Sequence, residues 1–75
     1  METAMLNLTT ERCPMALLLA KRAANELESC ERLAIQITDT GARLDIPRYL
    51  STHGFSIEVQ EDSPHVLEII VTKRL

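Results

Sequence analysis

The hydrophobic and polar positions divide the chain into segments with two different periods. In residues 33–37, 55–59 and 67–71, large apolar side chains alternate at a period of two with other side chains, most of them polar. That alternation is typical of strands with one buried face. The short apolar stretch 5–8 predicts an additional strand near the start of the chain. Residues 61–65, which include Asp62, Ser63 and Pro64, have turn chemistry, so the last two strands should pair as an antiparallel hairpin.

Residues 13–29 predict a long helix. The segment has no glycine, and its only proline, Pro14, falls in the first turn, where a missing N–H is tolerated. One face of the helical wheel is small and alanine-rich, and the opposite face is polar. A second, shorter helix is predicted at about residues 45–53, with Asp45 at its start and Gly54 just after its end.

These elements follow one another in the order βαβαββ. Strands that are apolar on one face need helices on that face alone. We therefore expect an α/β fold, a two-layer sandwich in which a four-stranded mixed sheet carries two helices on one face. Gln36, Glu58 and Glu68 should face water on the other side, and residues 1–75 should form a single domain.

Composition and charge limit the classes of partner. The formal net charge is -3, the basic residues form no stripe, and Tyr49 and Phe55 are the only aromatic residues. This pattern argues against direct nucleic-acid binding. The longest apolar run, residues 15–20, is far shorter than the roughly 20 residues that span a bilayer, and no cleavable signal precedes it. We expect a cytoplasmic protein without membrane insertion.

The two cysteines lie at opposite ends of the predicted long helix. At a rise of about 1.5 Å per residue, that helix would hold Cys13 and Cys30 about 25 Å apart, too far for a disulfide. His53 and His65 are remote from both thiols, so no metal site is expected. A thiol redox sensor would need a nearby second thiol, and this interpretation therefore ranks last.

Cys13 has the best placement for chemistry. At a helix start, the unpaired N–H groups and the macrodipole favour an anion, and Arg12 acts in the same direction, whereas Glu11 opposes both. These terms predict a lowered thiol pKa and a thiolate able to attack sulfane sulfur. The alternative is a buried cysteine that acts as a small hydrophobe. Asp39 and Asp45 are interpreted as caps rather than as an acid–base pair.

The order of the motifs resembles that of the TusA/SirA/YedF sulfur-carrier family over nearly the whole chain. The matching segments are Arg12-Cys13-Pro14, Thr38-Asp39, Asp45-Ile46-Pro47-Arg48-Tyr49 and Gly54-Phe55. The resemblance implies a two-layer βαβαββ fold and a catalytic Cys13 that relays sulfur as a persulfide without a cofactor. The partners it implies are a donor, such as a cysteine desulfurase or a rhodanese-like protein, and a protein acceptor.

Three departures from the family pattern surround the cysteine. The Cys-Pro-x-Pro motif of the family is here Cys13-Pro14-Met15-Ala16, with alanine in place of the second proline. Thr10 and Glu11 replace the usual Gly-Leu, and Thr40 replaces a proline. The fold prediction is unaffected. The departures keep a second hypothesis open, a non-catalytic protein-interaction or regulatory module of the same fold.

An apolar strip is predicted beside the thiol. Met15 and Leu18 point toward the polar side of the helical wheel, in line with Arg22. Isolated exposed apolar residues are common, but a carrier must dock other proteins next to its cysteine. We interpret the three residues as a partner-docking patch. The polar outer face of the sheet gives no reason for an obligate dimer, so a monomer is expected.

Overall fold

The structure, a computed structural model, describes residues 3–74. Its elements are β1 (Thr3–Leu8), α1 (Met15–Asn25), β2 (Arg32–Ile37), α2 (Thr40–Thr52), β3 (Phe55–Asp62) and β4 (Leu67–Lys73). The predicted order βαβαββ is confirmed. None of the helices within residues 3–74 has the length and apolar character needed to cross a bilayer.

The four strands form one mixed sheet in the order β1-β2-β4-β3. Strand β1 pairs with β2 in parallel, and β4 pairs antiparallel with both β2 and β3. The predicted hairpin of the last two strands is therefore confirmed. Because β1 and β2 are parallel neighbours joined through α1, the loops that follow these two strands lie at the same edge of the sheet.

Both helices pack on the same face of the sheet and share one core. Helix α1 presents Ala16, Ala20 and Ala24, all fully buried, to the sheet. These small side chains recur every four residues and so lie on one helix face, where they allow a close approach to the strands. The fully buried large side chains come from strands β1, β2 and β4 and from the inner face of α2, and they are Leu8, Ile35, Ile37, Ile46, Leu50, Ile69 and Val71.

The helix boundaries differ from those predicted. Helix α1 is shorter than residues 13–29, because Cys13 and Pro14 form a turn before it and the chain turns again after Leu27. Helix α2 begins at Thr40 rather than near Asp45. Asp39 is the true N-cap, since its side chain accepts a hydrogen bond from the Ala42 N–H at 2.9 Å. Asp45 therefore lies inside the helix, and its predicted capping role is wrong.

The outer face of the sheet is less polar than predicted. Glu58 is exposed, but Gln36 and Glu68 are half-buried, and Ala34 and Ile70 on the same face are buried. Val59, predicted to face the core, is 58% exposed. It still pairs with the buried Ile69, but it lies on an edge strand and is the last residue before the register with β4 shifts between Val59 and Glu61.

Two residues adopt left-handed backbone conformations at the turns that follow the helices. Gly54 has a φ of 91° directly after His53, the C-cap of α2, and the predicted helix end at this glycine is confirmed. Cys30 has a φ of 70° in the turn between α1 and β2. A side chain at such a φ is unfavourable, and glycine would avoid this cost.

Candidate functional site

Cys13 lies in the turn that joins β1 to α1, just before the first turn of the helix. The turn is held by the Arg12 carbonyl, which accepts a hydrogen bond from the Ala16 N–H at 2.8 Å. Pro14 is the N-cap residue and has no capping side-chain hydrogen bond. Cys13 itself is a free cysteine and is half-buried. The predicted position at the N-terminus of α1, with partial access to the thiol, is confirmed.

Two carboxylates from the second helix lie beside Cys13. Its thiol is within hydrogen-bonding reach of Asp45 Oδ2 at 3.9 Å, and its backbone N–H points to Asp39 Oδ2 at 3.4 Å. Gly41, in the first turn of α2, is so close that a Cβ added there would lie 3.9 Å from the Cys13 Cβ. The N-terminal parts of both helices therefore build the surroundings of the thiol.

Sequence reasoning missed this convergence. It treated Asp39 and Asp45 as caps of their own helix and did not place them next to Cys13. A usable signal was present, because two strands joined through one helix are usually parallel, and parallel neighbours bring their following loops together. Cys13 follows β1 and Asp39 follows β2, and these two strands are paired in parallel.

The surroundings raise the pKa of the Cys13 thiol. Burial is the largest cause, followed by the negative charges of Asp39 and Asp45, while the backbone N–H of Leu17 acts in the opposite direction. The predicted lowering of this pKa is therefore wrong in sign. The prediction counted only charges near Cys13 in sequence and the start of its own helix, whereas the carboxylates come from α2.

Asp39 is held as a carboxylate by backbone donors. The hydrogen bond from the Ala42 N–H is the largest cause of its lowered pKa, and the N–H groups of Cys13 and Gly41 act in the same direction. The positive charge of Arg12 adds a smaller lowering effect. Arg12, expected to act on the thiol, thus acts on the neighbouring carboxylate.

The apolar strip beside the thiol is present at the surface of α1. Met15 is 49% exposed and Leu18 is 41% exposed, and Arg22 is exposed as well. A shallow apolar groove of about 380 Å³ is lined by Pro14, Met15, Leu17, Leu18 and Lys21. Arg22 does not line it. Lys21, which does line it, has its Nζ 4.6 Å from the centre of the Tyr49 ring.

The remaining candidate groups lie elsewhere. Cys30 is exposed in the turn after α1, at the opposite end of that helix from Cys13, and is also a free thiol. His53 is the C-cap of α2 and stacks on Tyr49 with ring centroids 3.9 Å apart. His65 is exposed in the loop between β3 and β4. Within residues 3–74 no three His, Cys, Asp or Glu side chains are grouped in a way that could hold a metal ion.

The fold is shared with a known class of small two-layer α/β proteins. A SirA-like protein from Desulfitobacterium hafniense, known from its crystal structure, superposes with a TM-score of 0.77 at 19% identity, covering 95% of this chain and 96% of that one. This likeness shows that the fold is SirA-like.

The chain belongs to the family described as sulfurtransferase TusA, whose model matches residues 4–73. The resemblance inferred from the sequence is thereby confirmed. A relative is YrkI of Bacillus subtilis (strain 168), named as a proposed sulfur carrier protein, which is 34% identical over 61 residues, or 81% of each chain. Family and relative together support a sulfur-carrier role.

Proposed function

We propose that this protein relays sulfane sulfur as a persulfide on Cys13. The observation that carries the proposal is the position of this thiol at the junction of β1 and α1, within Cys13-Pro14, in a chain of the TusA family. The thiol is half-buried and adjoins an apolar groove, so a partner seated there could reach the sulfur.

The relay is a thiol exchange. The Cys13 sulfur attacks the outer sulfur of a donor persulfide, the S–S bond of the donor breaks, and a new S–S bond forms on Cys13. The donor cysteine leaves as a thiolate and takes up the proton that Cys13 releases, so no electrons are gained or lost overall. Passing the sulfur to an acceptor thiol is the same exchange with Cys13 as the leaving group. No cofactor is required.

The proposed partners are proteins. A cysteine desulfurase or a rhodanese-like protein would donate the sulfur, and a second protein would accept it, with the carrier acting as a monomer in the cytoplasm. Met15, Leu18 and Arg22 are the proposed docking patch, because two exposed apolar side chains and one cation lie on the helix that begins beside the thiol. Glu11, Arg12 and Pro14 are proposed to tune the thiol. Direct nucleic-acid binding and membrane insertion form no part of this function.

A second candidate is a non-catalytic interaction or regulatory module. The raised pKa of Cys13 favours it, because a protonated thiol is a poor nucleophile near neutral pH. Ala16 in place of a second proline is compatible with either function.

Loading with sulfur separates the two candidates. Variants C13S and C30S are each incubated with a cysteine desulfurase and cysteine, and separately with inorganic polysulfide, followed by persulfide labelling and intact-protein mass measurement. With the desulfurase we expect C30S to gain one sulfur and C13S to gain none, whereas polysulfide, which needs no docking, should also modify the exposed Cys30 of C13S. If C30S stays unmodified in both reactions while its circular dichroism matches the parent protein, the carrier proposal fails and the interaction module is the better explanation.

A further inference from the structure

We propose that Asp45 is a positioning residue that keeps the unloaded Cys13 as a neutral, slowly reacting thiol in the free protein. The inference deepens the proposed function, and only its biological role rests on that function. The protonation state of the Cys13 thiol can be measured without any sulfur chemistry. Asp45 would set when the cysteine reacts, and it would not itself touch the transferred sulfur.

The geometry carries this inference. The Cys13 thiol can donate to Asp45 Oδ2 at 3.9 Å, a contact that requires the proton to remain on sulfur. Deprotonation would place a thiolate next to a carboxylate, and like charges at that distance disfavour ionisation. The charge of Asp39 has the larger effect of the two, but its Oδ2 is engaged by the N–H groups of Ala42 and Cys13, so Asp45 is the carboxylate that a partner could neutralise.

Negative charge predominates around the Cys13 thiol. Asp39 and Asp45 face it from the α2 side, α1 supplies only the backbone N–H of Leu17, and Glu11 and Arg12 precede it in its own turn. Arg12 acts on Asp39. The ion pairs found among residues 3–74, Arg32 with Glu58 and Arg43 with Asp62, do not include Asp45. Asp45 is exposed, so a cationic group of a docked partner could pair with it.

A partner that places a lysine or arginine against Asp45 would neutralise one of the two negative charges that favour the protonated Cys13 thiol. Under the proposed function, the thiol would then become reactive where the donor or acceptor is bound and would stay resistant to stray electrophiles elsewhere. Sulfur exchange proceeds through the thiolate, so this arrangement links reactivity to docking.

The test is the pH dependence of alkylation of Cys13 with iodoacetamide in a C30S background. We expect Asp45→Asn to move the titration to lower pH and to speed alkylation at neutral pH by about two- to fivefold, since the lost repulsion is partly offset by lower nucleophilicity. Asp45→Glu should restore slow alkylation. Glu26→Gln, at the other end of α1, is the matched control and should change nothing.

Ionic strength gives a second measurement on the same proteins. Salt should accelerate alkylation of the C30S parent and have less effect on the Asp45→Asn variant, because only the repulsion from Asp39 remains to be screened there. The inference is overturned if Asp45→Asn leaves the pH profile unchanged or moves it to higher pH. If that variant does not fold, a lack of salt dependence in the parent overturns it. Since no sulfur donor is used, either result leaves persulfide loading to be judged separately.

Discussion

At the residue scale, the two thiols differ in their surroundings. Burial and, after it, two neighbouring carboxylates raise the pKa of Cys13, whereas Cys30 is exposed in a turn. We therefore expect Cys30 to be alkylated faster than Cys13 at neutral pH in the free protein, because Cys30 is more exposed and the raised pKa of Cys13 lowers the thiolate fraction of Cys13. The measurement is the iodoacetamide rate of the single-cysteine variants C13S and C30S. Faster labelling of Cys13 would contradict the assignment of a protonated resting thiol.

Asp39 should make the stability depend on pH in the acid range. Its pKa is lowered in the folded protein, so its contribution is present above the ordinary carboxyl pKa of about 4 and is lost as the pH falls through the lower, folded value. Asp39→Asn keeps a side-chain oxygen for the cap and removes the titration. We expect this variant to lose less stability than the parent between neutral pH and acid.

The measurement is urea unfolding at a series of pH values. Glu26→Gln serves as the control and should follow the parent curve. An Asp39→Asn variant with the same acid loss as the parent would show that Asp39 does not carry this dependence.

At the element scale, the turn between α1 and β2 contains an unfavourable backbone conformation. Cys30 has a φ of 70°, and an L-residue there costs more than glycine. We expect Cys30→Gly to raise the free energy of unfolding by about 0.5–1 kcal/mol, the gain being limited by the greater freedom of glycine in the unfolded chain. Cys30→Ala, which removes the thiol and keeps a Cβ, should change stability little. Equal stability of the two variants in urea unfolding would contradict the explanation.

The helix boundaries show where local sequence signals compete. Both Asp39 and Asp45 can cap a helix. The proline at position 47 favours a helix start at Asp45, because proline is tolerated in the first turn. The chain instead begins α2 after Asp39, which gains backbone hydrogen bonds from its own helix and from the Cys13 turn. The second of these bonds joins distant parts of the chain and leaves no local pattern. The alanine-rich core face of α1, by contrast, follows from periodicity alone.

At the scale of the whole molecule, stability should depend on the buried layer between helices and sheet. Val71 is fully buried and Val59 is 58% exposed, although both were predicted to face the core. Val71→Ala should therefore lower the free energy of unfolding by about 2 kcal/mol, and Val59→Ala by no more than about 0.5 kcal/mol. Urea unfolding of this matched pair checks the register of β3. Similar losses in both variants would place Val59 in the core.

The element order, the hairpin and the position of Cys13 at the start of α1 could be predicted from the sequence, because period and turn chemistry are local. The family resemblance added the reason to single out this thiol. The electrostatics of the site could not be read in this way, because Asp39 and Asp45 reach Cys13 only through the parallel pairing of β1 with β2 and the packing of α2. A bulge after Val59 likewise depends on how two strands meet.

The central claim, that Cys13 takes up and gives up one sulfur, is tested most directly by a single-turnover transfer. The C30S variant is loaded with radiolabelled sulfur from a cysteine desulfurase, freed of the donor, and mixed with cyanide, a small nucleophile that accepts sulfane sulfur as thiocyanate. We predict one label per chain, its appearance in thiocyanate, and the return of a free Cys13 thiol. Label that never binds, that binds equally to C13S, or that stays on the protein would contradict the account.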